Sequence, residues 1–402
     1  MKQATFADLG VSEVVTGELA RREITEPFAV QNMVIPDGLA GHDLLVQSPT
    51  GSGKTLAFGV PLIERMHGTN VRPSALVLAP TRELAIQIVA DLRALAHARA
   101  LSIAAVYGGA GIVKQAQIAA RAHILVATPG RLLDLIDRRD VSLQNVRLLV
   151  LDEADRMLDM GFRPVVDRIV KLTRSDRQTL LFSATLGGEV GRVASKYTRD
   201  ARRHEYAPTP AREGRVEHRF VPVAHDRKVA HLVAELNEPK RGLTLVFVRT
   251  KRGADRLVKK LAASSVQAVA MHGDKSQAQR ERALARFESG QVDTLVATDV
   301  AARGIDVAGI THVINYDMPA SREDYVHRVG RTARAGASGT GVTFVADDQT
   351  HEFVGMARDL GLHQALELGG FPSDATRGRE QRRRSAPPRS RNRGRSQRAA
   401  RR

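Results

Sequence analysis

A short stretch near the start of the chain, VQSPTGSGKT at residues 46–55, has the residue types of a phosphate-binding loop. An apolar strand at residues 44–46 leads into it, and a helix is expected to begin near Lys54. Gly51 and Gly53 tolerate unusual backbone dihedrals, so the loop N–H groups can point inward, and the helix N-terminus adds the positive end of a dipole. The stretch therefore predicts a cradle for phosphate groups.

The side chains of this loop have distinct expected roles. Lys54 would reach the β- and γ-phosphates of a nucleotide, and the Thr55 hydroxyl would lie on Mg²⁺. The first glycine of the pattern G-x-x-x-x-G-K-[ST] is Ser48 here, whose small side chain still fits. An ordinary turn that contains Gly-Lys-Thr is the alternative. The residues predicted to contact the nucleotide from this loop are Ser48, Thr50, Gly51, Ser52, Gly53, Lys54 and Thr55.

A second candidate for chemistry is RLLVLDEAD at residues 147–155. A buried strand that ends in two carboxylates can place Asp152 on Mg²⁺ and leave Glu153 to orient or deprotonate an attacking water. An apolar run followed by Asp-Glu is weak evidence alone, because strand-to-loop caps have the same pattern. Together with Lys54 upstream, it favours a site that hydrolyses a bound nucleotide.

Short apolar runs alternate with helical patterns and predict the elements that position these residues. In the first half, strands are expected at residues 44–46, 75–78, 103–106, 124–126, 148–151 and 179–182. In the second half, they are expected at residues 220–223, 244–248, 268–271, 294–296, 313–315 and 341–345. Buried runs between helices indicate an α/β fold with a mostly parallel sheet covered on both faces, twice over. Ligands of such sheets bind at the carboxyl ends of the strands.

Composition sets the class of protein. A chain of 402 residues with 43% hydrophobic content is long enough for two domains. It has no cysteine, which excludes a disulfide, a thiolate zinc site and a cysteine nucleophile, and its 13 histidines are scattered rather than paired at metal-ligand spacing. No run of eighteen apolar residues and no signal-peptide core is found, so we expect a cytoplasmic protein with no membrane partner.

Positive charge is concentrated at the end of the chain. The net charge is +17, and residues 371–402 carry +10 of it, from twelve Arg against Asp374 and Glu380. With many Ser and Gly and no apolar period, this tail is expected to be disordered and to contact polyanion phosphates without sequence preference. A solubilising tail without a partner is the alternative.

The residues from 152 onward also spell a known signature. Asp152-Glu153-Ala154-Asp155 is the signature of the DEAD-box RNA helicases, a group within helicase superfamily 2, and the chain resembles that family from Phe6 to about Phe371. Further matching motifs follow in family order: PTRELA at 80–85, GG at 108–109, TPGR at 128–131, SAT at 183–185, ATDVAARGID at 297–306 and HRVGRTAR at 327–334.

The resemblance implies two tandem RecA-like domains, with ATP between them and RNA across both. The predicted boundaries are residues 1–205 for the first domain, 206–215 for a linker, 216–370 for the second domain and 371–402 for the tail.

Residues for the nucleotide base follow from the resemblance. Gln31 would make paired hydrogen bonds to the adenine edge, because an amide carries both a donor and an acceptor. Phe6 stands where the family has an aromatic residue that packs near the base, and Asp306 resembles the residue that holds the ribose. The stretch EPFAVQ at residues 26–31 resembles the family's adenine-reading segment. This part of the chain departs from the family pattern at two positions: Glu23 replaces a usual Gly, and Phe28 replaces a usual Thr.

Two arginines are similar to the family's arginine finger, which acts on the γ-phosphate only when the domains close. Arg331 and Arg334 lie three residues apart after a helix predicted over residues 322–329, so both can face one direction if the helical turn continues. The family usually has Gly where Ala333 stands. A surface role is the alternative for such a pair taken alone.

Other roles are also implied position by position. The residues that resemble the link between the domains are Asp155, Ser183, Thr185 and His327. Those at RNA-contacting positions are Arg82, Gly109, Thr128, Arg131, Thr250, Gln277, Arg280 and Thr298. Glycines and hydroxyls at strand ends offer donors to phosphates, which position a strand without reading its bases.

The sequence therefore predicts an ATP-dependent RNA helicase that locally unwinds short duplexes. An ATP-gated RNA clamp or annealing chaperone would have the same motifs, and a DNA helicase or other P-loop translocase is a further alternative. Ribosome assembly, messenger decay and cold adaptation are all compatible with these motifs.

Overall fold

The structure is a computed structural model that describes residues 4–49, 51–67, 71–206, 216–239, 241–302, 307–333 and 337–372. The predicted tail after Pro372 and residues 207–215 of the predicted linker lie outside these ranges. Within them, no helix combines the length and apolar character needed to cross a membrane.

The first half of the chain forms one seven-stranded sheet between helices. Its strands are β1 (Leu44–Gln47), β2 (Ala75–Leu78), β3 (Ile103–Val106), β4 (Ile124–Ala127), β5 (Leu148–Leu151), β6 (Gln178–Ser183) and β7 (Arg202–Glu205). Its helices are α1 (Glu13–Arg21), α2 (Ala29–Ala40), α3 (Lys54–Glu64), α4 (Arg82–Ala98), α5 (Ile112–Ala119), α6 (Pro129–Asp137), α7 (Ala154–Asp159), α8 (Arg163–Leu172) and α9 (Gly188–Tyr197). The strand order is β3-β4-β2-β5-β6-β1-β7, and every neighbouring pair is parallel.

The second half forms a six-stranded sheet of the same kind. Its strands are β8 (Val216–Pro222), β9 (Leu243–Phe247), β10 (Val269–Met271), β11 (Thr294–Ala297), β12 (Ile310–Asn315) and β13 (Gly339–Val345). Its helices are α10 (Lys228–Leu236), α11 (Lys251–Ala263), α12 (Gln277–Glu288), α13 (Asp299–Ala302), α14 (Arg322–Val329), α15 (Thr350–Asp359) and α16 (His363–Leu368), with a short 3₁₀ turn at Asp347–Gln349. The order is β10-β11-β9-β12-β13-β8, again with parallel pairs.

The burial of strand β5 shows why the predicted apolar runs form parallel strands covered on both faces. All four of its residues are buried. Leu148 and Val150 pack into the core on one face of the first sheet, whereas Leu149 and Leu151 pack into the core on the other. Successive side chains of a strand point to opposite faces, so a strand that is apolar at every position needs helices on both sides. The predicted α/β class with two parallel sheets is confirmed.

Each of the twelve predicted strands is present, and the described residues form a thirteenth that the sequence did not indicate. Strand β7 reads Arg-Arg-His-Glu and is mostly exposed at the sheet edge beside β1. It has no apolar residue because an edge strand can leave both faces in water. Tyr206, assigned to the predicted linker, continues this edge: its N–H donates to the Gln47 carbonyl at 2.8 Å.

The folded part of the second half also extends further along the chain than the sequence predicted. Phe371, with which the predicted tail begins, is buried against Phe353, with ring centroids 6.0 Å apart. It belongs to the core that α15 and α16 form beside β8. Sequence reasoning assigned it to the tail because the residues after it are rich in arginine.

Candidate nucleotide and RNA site

The phosphate loop joins β1 to α3 at the carboxyl edge of the first sheet. Gly51 and Gly53 both have left-handed backbones, with φ of 77° and 88°, as the sequence predicted for glycines that aim loop N–H groups inward. Helix α3 begins at Lys54, whose side chain is largely buried. At Gly53 a side chain is also excluded by space, because a Cβ there would lie 2.6 Å from the Phe28 ring.

Two other predicted loop residues, Ser48 and Ser52, are not among those that line the cavity bordered by the loop. Ser48 is fully buried, and its N–H donates to the Ser183 carbonyl at 2.9 Å, which ties the loop to β6. Ser52 turns its hydroxyl back to the Pro49 carbonyl at 2.9 Å. Thr50 lies outside the described residues. Ser48 and Ser52 thus shape the loop.

The two carboxylates follow β5 as predicted. The Asp152 N–H continues the sheet by donating to the Leu78 carbonyl at 3.0 Å, and its Oδ1 accepts from the Glu153 N–H at 3.0 Å. Burial raises the pKa of Asp152 to about 6, while the nearby Lys54 ammonium opposes that rise. Glu153 has a left-handed backbone with φ of 50° at the start of α7. The turn therefore holds both carboxylates beside Lys54.

These groups line one cavity of about 650 Å³. Its polar end is lined, from the first half, by Gly51, Gly53, Lys54, Thr55, Asp152 and Glu153. The same cavity is lined by Gln31 and Phe28 from the start of α2. Its size is in the range of small-molecule and cofactor sites, and it combines a polar end with apolar walls.

Gln31 connects the predicted adenine-reading segment to the loop. Its Nε2 donates to the Gly53 carbonyl at 2.9 Å, and its Oε1 accepts from the Phe28 N–H at 2.8 Å. A side-chain amide has two N–H groups and two acceptor lone pairs, so one of each is left for a base edge. Phe6 does not reach the cavity: its ring is 2% exposed and packs in the core of the first half. The prediction that Phe6 packs near the base is therefore not supported.

Both positions where the family usually has Gly keep the glycine conformation here. Glu23 has φ of 59° and Ala333 has φ of 56°, in the left-handed region. Non-glycine residues are uncommon there. Both residues therefore occupy a backbone region that glycine adopts more readily. Beside Glu23, Arg22 fixes the segment by donating to the Asp91 carbonyl of α4 at 2.5 Å.

Of the described residues of the second half, one lines this cavity. Arg331 lies in its wall, is largely buried, and donates from Nε to the His327 carbonyl at 3.2 Å. Helix α14 ends at Val329, so the helical turn does not continue through Ala333 as the sequence allowed. Arg334 and Asp306 lie outside the described residues.

The predicted link between domains is partly assembled. Asp155 accepts from the Ala184 N–H at 3.0 Å and from the Arg156 N–H at 3.0 Å. Ser183 accepts the Thr185 N–H at 3.3 Å through its hydroxyl. The Ser-Ala-Thr turn is therefore joined to Asp155 by its backbone, at Ala184, and not by the two predicted side chains. The backbone carbonyl of His327 accepts a hydrogen bond from the Arg331 guanidinium.

The RNA candidates of the first half follow the carboxyl ends of β2, β3 and β4. Arg82 lies directly over Gly109, where any Cβ would collide with its guanidinium. Arg131 donates to Gln115 at 2.8 Å and to the Ala110 carbonyl at 3.0 Å, which holds it near the same loop. Thr128 is nearly buried at the start of α6. These groups share one edge of the sheet, as predicted.

The RNA candidates of the second half also follow strand ends. Thr250 caps α11 by accepting the Gly253 N–H at 3.0 Å, and Thr298 follows β11. Arg280 and Gln277 lie in the first turn of α12 and face the first half.

Among the described residues, side-chain contacts cross between the halves at three pairs of positions. Arg280 pairs with Glu83 at 2.8 Å, and both side chains are largely buried. Arg82 lies 3.5 Å from the Gln277 amide oxygen. Arg156 pairs with Asp324 at 3.2 Å. Burial lowers the pKa of the Arg280 guanidinium, and the Glu83 carboxylate opposes that shift. These bonds hold the two carboxyl edges face to face.

Sequence reasoning missed several of these residues. Glu83 is inside PTRELA but was not singled out, because a carboxylate is not expected at a phosphate surface. Its partner, Arg280, lies 197 positions away in the sequence, and no local sequence pattern indicates such a pair. Arg156 and Asp324 were missed for the same reason.

Comparisons with known proteins agree with this arrangement. The DEAD/DEAH box helicase family matches residues 28–193, and the helicase conserved C-terminal domain matches residues 227–336. The ATP-dependent RNA helicase CshA of Listeria monocytogenes is 42% identical over 341 residues, which cover 85% of this chain and 66% of that protein. The chain thus spans just under two thirds of that relative. CshA of Limosilactobacillus reuteri is 41% identical over 357 residues, which cover 88% of this chain and 72% of that protein.

A solved structure is similar in the same way. Saccharomyces cerevisiae Dbp5 bound to RNA and ADP BeF3 has a TM-score of 0.80 and 29% identity, and the match covers 88% of this chain and 93% of that one. Both halves therefore have the RecA-like fold of helicases. With both family domains matched in order and a relative 41% identical over most of its length, this chain belongs to the DEAD-box family of ATP-dependent RNA helicases.

Proposed function

We propose that this protein hydrolyses ATP when RNA holds its two halves together, and that each closure opens a short RNA duplex locally. The observation that carries the proposal is the place of Arg331. It comes from the second half and lines the same cavity as Lys54 and Glu153 of the first. A site divided in this way is complete only in the closed arrangement.

Each charged group then has a role in phosphoryl transfer. Lys54 holds the β- and γ-phosphates, Glu153 orients and deprotonates the attacking water, and Arg331 stabilises the charge that develops on the γ-phosphoryl oxygens. Arg334, three residues further on, is proposed as the second arginine. Catalysis here consists of positioning and electrostatics, because the transferred group needs no covalent help from the protein.

The donor set at Asp152 suits Mg²⁺. Mg²⁺ in nucleotide sites takes one or two protein oxygens, with phosphate oxygens and water completing its shell. The buried Asp152 carboxylate and the Thr55 hydroxyl both line the polar end of the cavity. Of the described residues, no cluster of three His, Asp or Glu side chains forms a metal cage. We therefore propose that Asp152 and Thr55 hold Mg²⁺ together with the nucleotide, where it neutralises phosphate charge.

Base and sugar recognition is proposed for Gln31 and Asp306. The remaining N–H and lone pair of the Gln31 amide complement the donor and acceptor of an adenine edge. Gln31 is also bonded to Gly53, so base recognition and loop geometry are coupled through one side chain.

RNA is proposed to lie along the facing carboxyl edges. From the first half, Arg82, Gly109, Thr128 and Arg131 would contact its phosphates, and from the second, Thr250, Gln277, Arg280 and Thr298. Contacts of this kind carry little sequence information, and discrimination against DNA would come through 2′-hydroxyls. The arginine-rich tail is proposed to add phosphate contacts.

The free energy needed for the proposed duplex opening is modest. Stacking is worth about 1.4 kcal/mol per DNA base-pair step, so opening five steps costs ~7 kcal/mol. One closure event can supply that free energy, which favours local opening of short duplexes.

We also propose domain boundaries near residues 205 and 216 and a cytoplasmic location. Ribosome assembly, messenger decay and cold adaptation are each compatible with this activity.

The test is RNA-stimulated ATP hydrolysis by the full chain. Single-stranded RNA should stimulate turnover and DNA should not. Glu153→Gln should abolish turnover while ATP binding is retained, because the amide cannot accept the proton of the attacking water. Glu189→Gln, at an exposed surface ion pair of the same half, is the matched control and should keep wild-type turnover. Full activity of Glu153→Gln would refute the assignment, and equal stimulation by DNA would favour a DNA translocase.

A further inference from the structure

Phe28 is an aromatic side chain left in the open at the nucleotide cavity. Its side chain is 56% exposed, and no other exposed large hydrophobic side chain in the described part of the chain lines this cavity. Isolated exposed apolar residues are common on protein surfaces, but one in the wall of a ligand cavity is in a position to meet the ligand.

The position of the ring is fixed by its neighbours. Phe28 precedes the first residue of α2, and its N–H donates to the Gln31 Oε1 at 2.8 Å. Its ring lies against the phosphate loop, since a Cβ on Gly53 would be 2.6 Å from Cδ2 and 3.4 Å from Cε2. The same Cβ would be 2.7 Å from the Gln31 amide nitrogen. The ring therefore lies beside both the loop and the amide proposed to read the base.

The cavity lacks the aromatic residue that the sequence predicted for it. Phe6 is enclosed in the core, so its ring has no free face to offer. The other apolar side chains in the cavity wall are aliphatic: Ile24, Leu56 and Leu84. Among the described wall residues, Phe28 is thus the aromatic one.

We propose that Phe28 supplies the aromatic surface against which the purine of bound nucleotide packs, and so acts as an affinity determinant of this site. The inference rests on the proposed function of the cavity. Aromatic rings attract the faces of nucleobases, and such contacts tolerate different bases because every base has a π-face. Phe28 therefore provides affinity for purines in general, and the Gln31 amide distinguishes adenine from guanine.

A tryptophan reporter tests the contact directly. The chain contains no Trp, so Phe28→Trp carries the protein's single indole. Titration with ADP should quench its fluorescence saturably, and the midpoint should agree with the Kd from calorimetry on the same variant. Leu172→Trp, at an exposed position on α8 outside the cavity, is the control and should show no saturable change. No quenching of Phe28→Trp by ADP that calorimetry shows to be bound would overturn the inference.

Affinity measurements separate base packing from loop support. Phe28→Ala should weaken ADP binding about fivefold to tenfold. Binding of inorganic tripolyphosphate, which has no base, should change less than twofold, and Phe28→Tyr should restore ADP binding. Equal losses for ADP and tripolyphosphate would show that the ring acts only through the Gly53 loop. If the unaltered chain binds tripolyphosphate but no ADP, the proposed ATP site itself is wrong.

Discussion

The two sheets have the same parallel construction but present different chemistry at their carboxyl edges. The first edge carries the glycine loop, Lys54 and the carboxylates of Asp152 and Glu153. The second contributes a guanidinium, that of Arg331, to the same cavity. Neither edge alone combines a phosphate cradle with the charge proposed for the transition state. The division teaches that domain closure can serve as the switch for catalysis, because it completes the set of groups.

Two arginines of the second half show how this division is built. Arg328 is buried and saturated within its own half: it donates to both Asp299 oxygens at 2.5 and 2.8 Å and to the Asp317 carbonyl at 2.7 Å. Arg331, three residues further along, donates to the His327 carbonyl and reaches the cavity. The first arginine anchors the segment so that the second can be presented to the other half.

Substitution of Arg331 should have the largest effect on the division of catalytic groups between the two sheets. Arg331→Ala should lower RNA-stimulated kcat by about 10³- to 10⁵-fold, because an arginine finger acts on charge that exists only in the transition state. The KM for ATP should change far less. Steady-state ATPase assays with saturating RNA measure both values. Arg252→Ala, at an exposed position of the same half, should leave kcat unchanged. A kcat within tenfold of wild type in Arg331→Ala would mean that the second edge adds no catalytic charge.

The Glu83–Arg280 pair, which joins the two halves, tests how closure affects RNA affinity. Arg280→Ala leaves Glu83 to be buried without a partner on closure, at a cost of about 1–3 kcal/mol. RNA affinity with a bound ATP analogue should fall accordingly, while thermal unfolding of the free protein should barely change. The double variant Glu83→Ala/Arg280→Ala should bind RNA better than Arg280→Ala alone. If the two losses simply add, Glu83 and Arg280 act independently, and the effect of Arg280 on affinity comes from its own RNA contact alone.

Much of this could be predicted from the sequence, for a physical reason. Apolar strands and the glycine loop are local patterns, so β5, helix α14 and the loop before Lys54 were found from adjacent residues alone. Residues that depend on distant neighbours were not. Strand β7 is polar because it is an edge, Glu83 needs a partner in the other half, and the burial of Phe6 depends on helices that pack over it.

A smaller effect is expected where the second half keeps a glycine conformation without glycine. Ala333 has φ of 56°, which costs a non-glycine residue about 1–2 kcal/mol, whereas glycine loses about 0.5–1 kcal/mol more entropy on folding. Ala333→Gly should therefore raise the unfolding free energy by roughly 0.5–1 kcal/mol, measured by urea denaturation. Ala285→Gly, inside α12, is the control and should lower it by about 1 kcal/mol. Destabilisation by Ala333→Gly would show that the left-handed turn is not strained.

The most direct test of the divided site is the distance between the halves. The chain has no cysteine, so Lys171→Cys and Lys259→Cys, at exposed positions of α8 and α11, place one spin label on each half. Pulsed electron paramagnetic resonance should give a single short distance only when an ATP analogue and RNA are both bound, and longer, broader distances with either alone. A distribution that is the same with and without the two ligands would contradict the claim that closure assembles the site.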